Sequence, residues 1–214
     1  MRVVAPRSRS ADRGSPTRRA PGTDRVPDGH DRGMTRALLL IDVQLDYFPG
    51  GAFPLVEPEA AADAAGAVLR HFRETGEDVV HVFHTATDPD AGFFVPGTPG
   101  VAFHPDVEPR AGETVVEKHE PNSFIGTGLE RLLRDRGVTD LVVVGMMTSM
   151  CVDSTARAAS ELGFACTVVA DACAAPDLTL GDTTVPGASV HAAFLAALDG
   201  SFATVVRSKD LLDA

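Results

Sequence analysis

The chain has 214 residues, enough for one well-buried domain and short for two. Hydrophobic residues make up 44% and charged residues 23%, a globular composition that excludes collagen-like, mucin-like and wholly disordered chains. The net charge is −11, yet residues 1–33 carry eight Arg against four acids, which leaves 26 acids against 11 bases in residues 34–214. An acidic body of this kind repels nucleic acid and anionic membrane, so neither is an expected partner.

Residues 1–33 are rich in Arg, Pro, Gly, Ser and Asp, with few large apolar side chains. Such a segment cannot bury enough surface to offset chain entropy, so a disordered extension is expected there, with the folded domain over 34–214. It has no apolar central stretch of the secretory type, and its four Asp argue against an organelle transit peptide. A basic interaction tail is the other reading. No apolar run in the chain approaches the ~20 residues that span a bilayer.

From Met34 onward strand and helix signals alternate. Ala37–Val43 is a near-continuous apolar run, as in a buried parallel strand. Glu59–Glu74 has Ala64, Val68, Leu69 and Phe72 at helical spacing, with Gly76 as its stop. Asp78–His84 reads as a second strand, and Thr85–Gly112 as a long Pro- and Gly-rich loop of the kind that is usually functional. Thr114–Lys118 is a short third strand. Gly128–Arg136 is a helix ended by Gly137, and Asp140–Gly145 a fourth strand. Ser149–Leu162 is expected to be a helix, Ala165–Ala170 a strand, Val190–Leu198 a helix and Ala203–Val206 a sixth strand, before a tail around Leu211. This order predicts an α/β fold of three layers, α/β/α, with a six-stranded, mostly parallel, Rossmann-like sheet covered by helices on both faces. In such sheets, sites gather beyond the carboxyl ends of the strands.

Three reactive residues fall at that rim. Asp42 ends the first strand, Lys118 ends the third, and Cys151 follows the turn after the fourth. Singly, each has an ordinary reading: a solvated carboxylate, a surface lysine, a buried small cysteine. Together they make a nucleophilic site. A thiol beside a cation and a helix N-terminus is expected to have a lowered pKa. Asp42 can take the thiol proton and pass it to a leaving amine. The turn before Cys151 offers backbone N–H groups to an oxyanion.

Four blocks carry a resemblance: LLLIDVQLDYFPGGAFPL (38–55), VEKHEPNSFIGTGL (116–129), GMMTSMCVDSTARAASELGF (145–164) and VVADACAA (168–175), followed by an alanine-rich helix with His191. In their order and spacing the chain resembles the isochorismatase-like cysteine hydrolases, which include nicotinamidases, N-carbamoylsarcosine amidase and ureidoacrylate amidohydrolase. Its Met-Thr-Ser-Met-Cys and Asp-Ala-Cys-Ala stretches look like a branch that includes streptothricin hydrolase. The resemblance implies a triad with Asp42 as base and acid, Lys118 as electrostatic partner and Cys151 as nucleophile. It implies a cis peptide at Met146–Met147, an oxyanion hole from the N–H groups of Met147 and Cys151, and a Gln44 that binds substrate or orients the site.

The expected activity is hydrolysis of a C–N bond, in a carboxamide or ureido group of a small molecule, through a thioester. Isochorismatase itself lacks the cysteine and cleaves a vinyl ether, so that chemistry is the enzymatic alternative. A non-catalytic ligand-binding scaffold is the other. Phe48, Phe124 and Met146 are expected to join Gln44 in contacting substrate, with Phe53, Phe93 and Phe94 nearby. Nicotinamidases of this family carry an Asp-x-His metal motif after strand two, and the stretch His84–Asp90 has none, so neither metal nor other cofactor is expected. His81 and His84 lie three apart on a strand and face opposite sides, which suits structural or solvated roles. Cys151, Cys166 and Cys173 form neither a disulfide framework nor a zinc motif, which suits a reducing, cytoplasmic compartment. The family resemblance implies a homodimer or homotetramer.

Overall fold

A computed structural model describes residues 35–88 and 90–213; the expectation for residues 1–33 lies outside them. The first half of the chain forms β1 (Arg36–Ile41), α1 (Pro58–Thr75), β2 (Asp78–His84), β3 (Thr114–Lys118) and α2 (Leu129–Asp135). The second half forms β4 (Asp140–Met146), α3 (Asp153–Glu161), β5 (Ala165–Ala174), β6 (Leu178–Leu180), β7 (Thr183–Val185), α4 (Gly187–Leu198), β8 (Thr204–Val206) and α5 (Ser208–Leu212). Six strands build one sheet in the order β3-β2-β1-β4-β5-β8, and every pairing in it is parallel.

Strand alternation sorts the side chains into two cores. Leu38 and Leu40 of β1, with Val142 and Val144 of β4, meet Ala65, Val68, Leu69 and Phe72 of α1, and Leu211 of α5 packs at the margin. Ala37, Leu39 and Ile41 point the other way. They share a core with Leu129 and Leu133 of α2, Ala156 and Ala159 of α3, and Leu195 and Leu198 of α4. The three-layer α/β/α architecture follows directly. Among the described residues no helix is long and apolar enough to cross a membrane.

The chain runs outward from β1 through β2 to β3, then returns to β4 on the other side of β1. The strand order therefore reverses between β1 and β4, and the crevice beyond their carboxyl ends is where such sheets bind ligands. Gly145 is what lets these two strands close up there. It pairs with Ile41 across the ladder, has φ +132°, and a Cβ on it would lie 2.0 Å from the Ile41 carbonyl oxygen. Backbone cannot yield as a side chain can, so Gly145→Ala is expected to destabilise the fold by about 3 kcal/mol or more. Denaturant unfolding measures it; a midpoint equal to the parent's would show that the strands can part without cost.

Three elements depart from the sequence reading. The helix expected from Ser149 opens instead as a π-helical turn, Thr148–Val152, and becomes α-helical only at Asp153. β5 runs on past Ala170 to Ala174, because its register on β4 shifts between Val143 and Gly145 and a second stretch of pairing begins at Cys173. An exposed hairpin, β6–β7, lies before α4, where the sequence pattern predicts no element. The long loop after β2 is tethered by two 3₁₀ turns, Pro99–Val101 and Pro105–Val107, and by a bridge between Gln44 and Phe103.

Candidate active site

The end of β1 turns sharply. Asp42 takes φ +50°, a left-handed conformation that aspartate tolerates better than most residues, and its N–H donates to the Val82 carbonyl at 2.9 Å. The carboxylate thereby leaves the strand direction and faces β3. On β3 the outward residues Val115 and Glu117 are exposed while Lys118 is buried. Its ammonium lies 2.7 Å from Asp42 Oδ2, and neither side chain is exposed at all.

Cys151 sits in the π-helical turn, 5% exposed. Lys118 Nζ donates to its Sγ at 3.3 Å and to the Glu120 carbonyl at 3.1 Å. The third N–H goes to His84 Nδ1, 3.1 Å away. Asp42 is ion-paired with the Lys118 ammonium, and hydrogen bonds from Lys118 and Cys151 join that charge in favouring its carboxylate form. The three expected residues thus converge from β1, β3 and the turn after β4. The Met146–Met147 peptide bond is cis. The Met147 carbonyl accepts from Met150 and Val152, at 3.0 and 3.2 Å, and not from Cys151 between them.

The electrostatics differ from expectation at Cys151. Burial pushes the Cys151 thiol up, the adjacent Asp42 charge pushes it further, and the Lys118 charge only partly opposes them. The resting side chain is therefore a thiol, not the thiolate that a helix N-terminus alone would favour. Asp42 is likewise raised, by burial, against the pull of Lys118. Both shifts favour keeping the proton on one of these two groups.

Of the two roles expected for His84, structural or solvated, the geometry fits the first. Parallel pairing sets it directly opposite Lys118. Burial and the Lys118 charge lower its pKa to about 4, so near neutral pH it is uncharged, with the Nδ1 lone pair toward the ammonium. His81 does face the other way, toward Glu113 at 2.9 Å. Asp42, His84 and Cys151 offer three ligand atoms within 4.8 Å of one another, as a metal site would. The Lys118 ammonium already lies among them, so their convergence is explained by one buried cation, which a metal ion would have to displace.

The expected substrate contacts fare less well. Gln44 is fully buried: Nε2 donates to the carbonyls of His84 and Val101, and Oε1 accepts from the His84 N–H at 2.7 Å. Every polar atom of its amide is used, so of its two expected roles the geometry fits orientation of the site. Phe48 turns into the core and stacks on His104, ring centroids 4.2 Å apart. Met146 is wholly buried in the core under α1. Phe124 is half-buried and stacked on Phe164. The aromatic residue that senses the site is Tyr47, one residue before Phe48. Its ring packs 4.7 Å from Phe94, and its phenol is raised by burial and then by Cys151 and Asp42. Cys166 and Cys173 are free and buried, their thiols pushed up by burial to about 11 and about 12.

Comparison with known proteins agrees with this arrangement. The chain is 50% identical to an uncharacterised isochorismatase family protein of Bacillus subtilis, YddQ, over 84% of this chain and 99% of that one. It is 33% identical to maleamate amidohydrolase of Pseudomonas putida, over 84% and 86%. Among solved structures it superposes with a TM-score of 0.83 on an Oleispira antarctica protein assigned to the isochorismatase hydrolases, at 46% identity, over 87% of this chain and all of that one. Because the Isochorismatase domain model also matches residues 36–210, which contain the whole sheet and all three converging residues, the chain belongs to the isochorismatase family of hydrolases.

Proposed function

We propose that the protein is a cysteine amidohydrolase that cleaves the C–N bond of a carboxamide or ureido group in a small molecule. One observation carries this reading: a buried thiol and a buried carboxylate share a single ammonium, with Lys118 Nζ 3.3 Å from Cys151 and 2.7 Å from Asp42. A vinyl-ether hydrolase has no use for the thiol. The amidohydrolase among the relatives supports the same choice.

The chemistry runs in two halves. As substrate arrives, the Cys151 proton passes to Asp42 and Sγ bonds to the carbonyl carbon. The oxyanion is held by the N–H groups of Met147 and Cys151. The C–N bond breaks as Asp42 returns the proton to nitrogen, and ammonia or an amine leaves. Water then gives a proton to Asp42 and its oxygen to the thioester carbon. The acid departs as Sγ takes the proton back. Lys118 compensates whichever of the two groups is negative, so charge moves within the site without entering water.

The test is a screen of primary and secondary amides and ureido compounds, with ammonia and amine detection, on the parent protein and Cys151→Ala. The expected result is release by the parent alone, together with an acyl mass on the peptide that contains Cys151. Turnover with no acyl adduct and equal activity of the alanine variant would overturn the reading.

A further inference from the structure

The chain that carries Cys151 runs from the cis Met146–Met147 bond into the π-helical turn Thr148–Val152. Among the described residues, two side chains of that turn are hydrogen-bonded. Cys151 meets Lys118, and Thr148 Oγ1 lies 2.9 Å from Nδ1 of His191 on α4. Thr148 is fully buried, where a hydroxyl without a partner is costly. Thr148 is also the neighbour of Met147 and lies three residues before Cys151, the two residues whose N–H groups would hold the oxyanion.

α4 is a firm support for this bond. Gly187, His191 and Leu195 fall one turn apart along one face of it. Gly187 packs so closely that a Cβ on it would lie 2.8 Å from the Ala175 carbonyl oxygen and 2.7 Å from Val56 Cγ2. Its N–H donates to Asp177 Oδ1 at 2.6 Å. Leu195 is buried in the core that also contains Cys151 and Val152. His191 stands between these two fixed points. Burial lowers its pKa, so near neutral pH the ring is uncharged, and Nδ1 can accept the Thr148 proton or donate its own.

We propose that His191 is a positioning residue for the oxyanion hole: through Thr148 it ties the turn after the cis bond to α4 and so fixes where the Met147 and Cys151 N–H groups point. Its purpose rests on the amidohydrolase reading above. The thiol has an anchor of its own in Lys118. Loss of the Thr148–His191 bond therefore weakens the hold on an oxyanion and leaves the reactivity of the thiol unchanged.

Two reactions of Cys151 separate these effects, and neither needs the substrate. Alkylation by iodoacetamide forms no oxyanion: Sγ bonds to the methylene carbon and iodide leaves with the C–I electron pair. Addition to an aldehyde does form one: Sγ bonds to the carbonyl carbon, the C=O electron pair moves to oxygen, and the thiol proton ends there as a hemithioacetal. Acetaldehyde, butyraldehyde and benzaldehyde are the probes, and their binding is read as protection of Cys151 from alkylation, by mass on its peptide. The variants are Thr148→Val and His191→Phe, which keeps a ring without nitrogen. His191 borders a cavity of about 230 Å³, so the phenyl ring has room. In each variant the half-protecting aldehyde concentration is expected to rise about tenfold, less than the loss of a whole oxyanion donor would cause, while alkylation without aldehyde stays within about twofold of the parent. The double variant is expected to lose no more than either single one. His191→Asn, whose amide can stand where Nδ1 stands, is expected to restore protection. With an amide substrate, kcat falls in both single variants and KM stays within about twofold.

Unchanged protection in both variants, alkylation slowed as much as protection, losses that add in the double variant, or a parent that none of the aldehydes protects would overturn the proposal. A parent that aldehyde protects but that releases no ammonia or amine from any amide would instead overturn the amidohydrolase reading and leave His191 its place.

Discussion

Replacing Cys151 by alanine is expected to lower turnover by about 10⁴-fold or more and to leave the chain folded. The loss is large because nothing else at the site can form the covalent bond. Cys173 and Cys166 are buried, with thiols that burial holds at about 12 and about 11. The fold survives because only a sulfur is removed from a side chain that is 5% exposed, and Lys118 keeps Asp42, His84 and the Glu120 carbonyl. A cost near 1 kcal/mol corresponds to a melting shift of about 2–4 °C for a domain of this size. Steady-state rates on the amide found by screening, set beside thermal unfolding, decide it. A vinyl-ether hydrolase of the same fold would keep its activity without Cys151 and lose it without Asp42, so that outcome would transfer the chemistry to the carboxylate.

Much of this site is legible in the amino-acid sequence. Asp42 and Lys118 end strand-like stretches and Cys151 follows the turn after another, and parallel strands deliver such residues to one rim. What a sequence cannot display is register. His84 is an ordinary strand residue by pattern, because its contact with Lys118 depends on the pairing of β2 with β3. Tyr47 and Phe48 are adjacent aromatics that pattern does not separate; the three-residue turn Leu45–Tyr47 decides which ring stacks in the core and which feels the site. Gln44 illustrates the same limit. Its amide is spent on the His84 and Val101 backbones, partners 40 and 57 residues away. The β6–β7 hairpin does leave a signal, Gly181-Asp182 between alternating residues, but its three-residue strands are too short to stand out from a loop. The thiol is a different matter: a cation and a helix start point to a lowered pKa, and burial, which no local pattern reports, reverses it.

Asp42→Asn is expected to abolish turnover as thoroughly as loss of the thiol, while making that thiol easier to ionise. The carboxylate has two effects on Cys151. In the proposed mechanism it is the base that removes the thiol proton during attack, and its charge is the second cause, after burial, of the raised thiol pKa. Substitution by the isosteric amide removes both and leaves the Lys118 charge, which acts in the opposite direction, opposed by burial alone. Titration by thiolate ultraviolet absorbance should therefore show Cys151 losing its proton at lower pH than in the parent, with Cys151→Ala supplying the background of the other two thiols. Ionisation at the same or higher pH would mean that burial alone holds the proton and that Asp42 is not coupled to the thiol. The pH dependence of the parent has the matching sign. Asp42 is raised by burial, so its base form is lost on the acid side at a higher pH than for an ordinary carboxylate. His84, with its pKa lowered to about 4, is neutral near neutral pH. The acid limb of activity then follows Asp42.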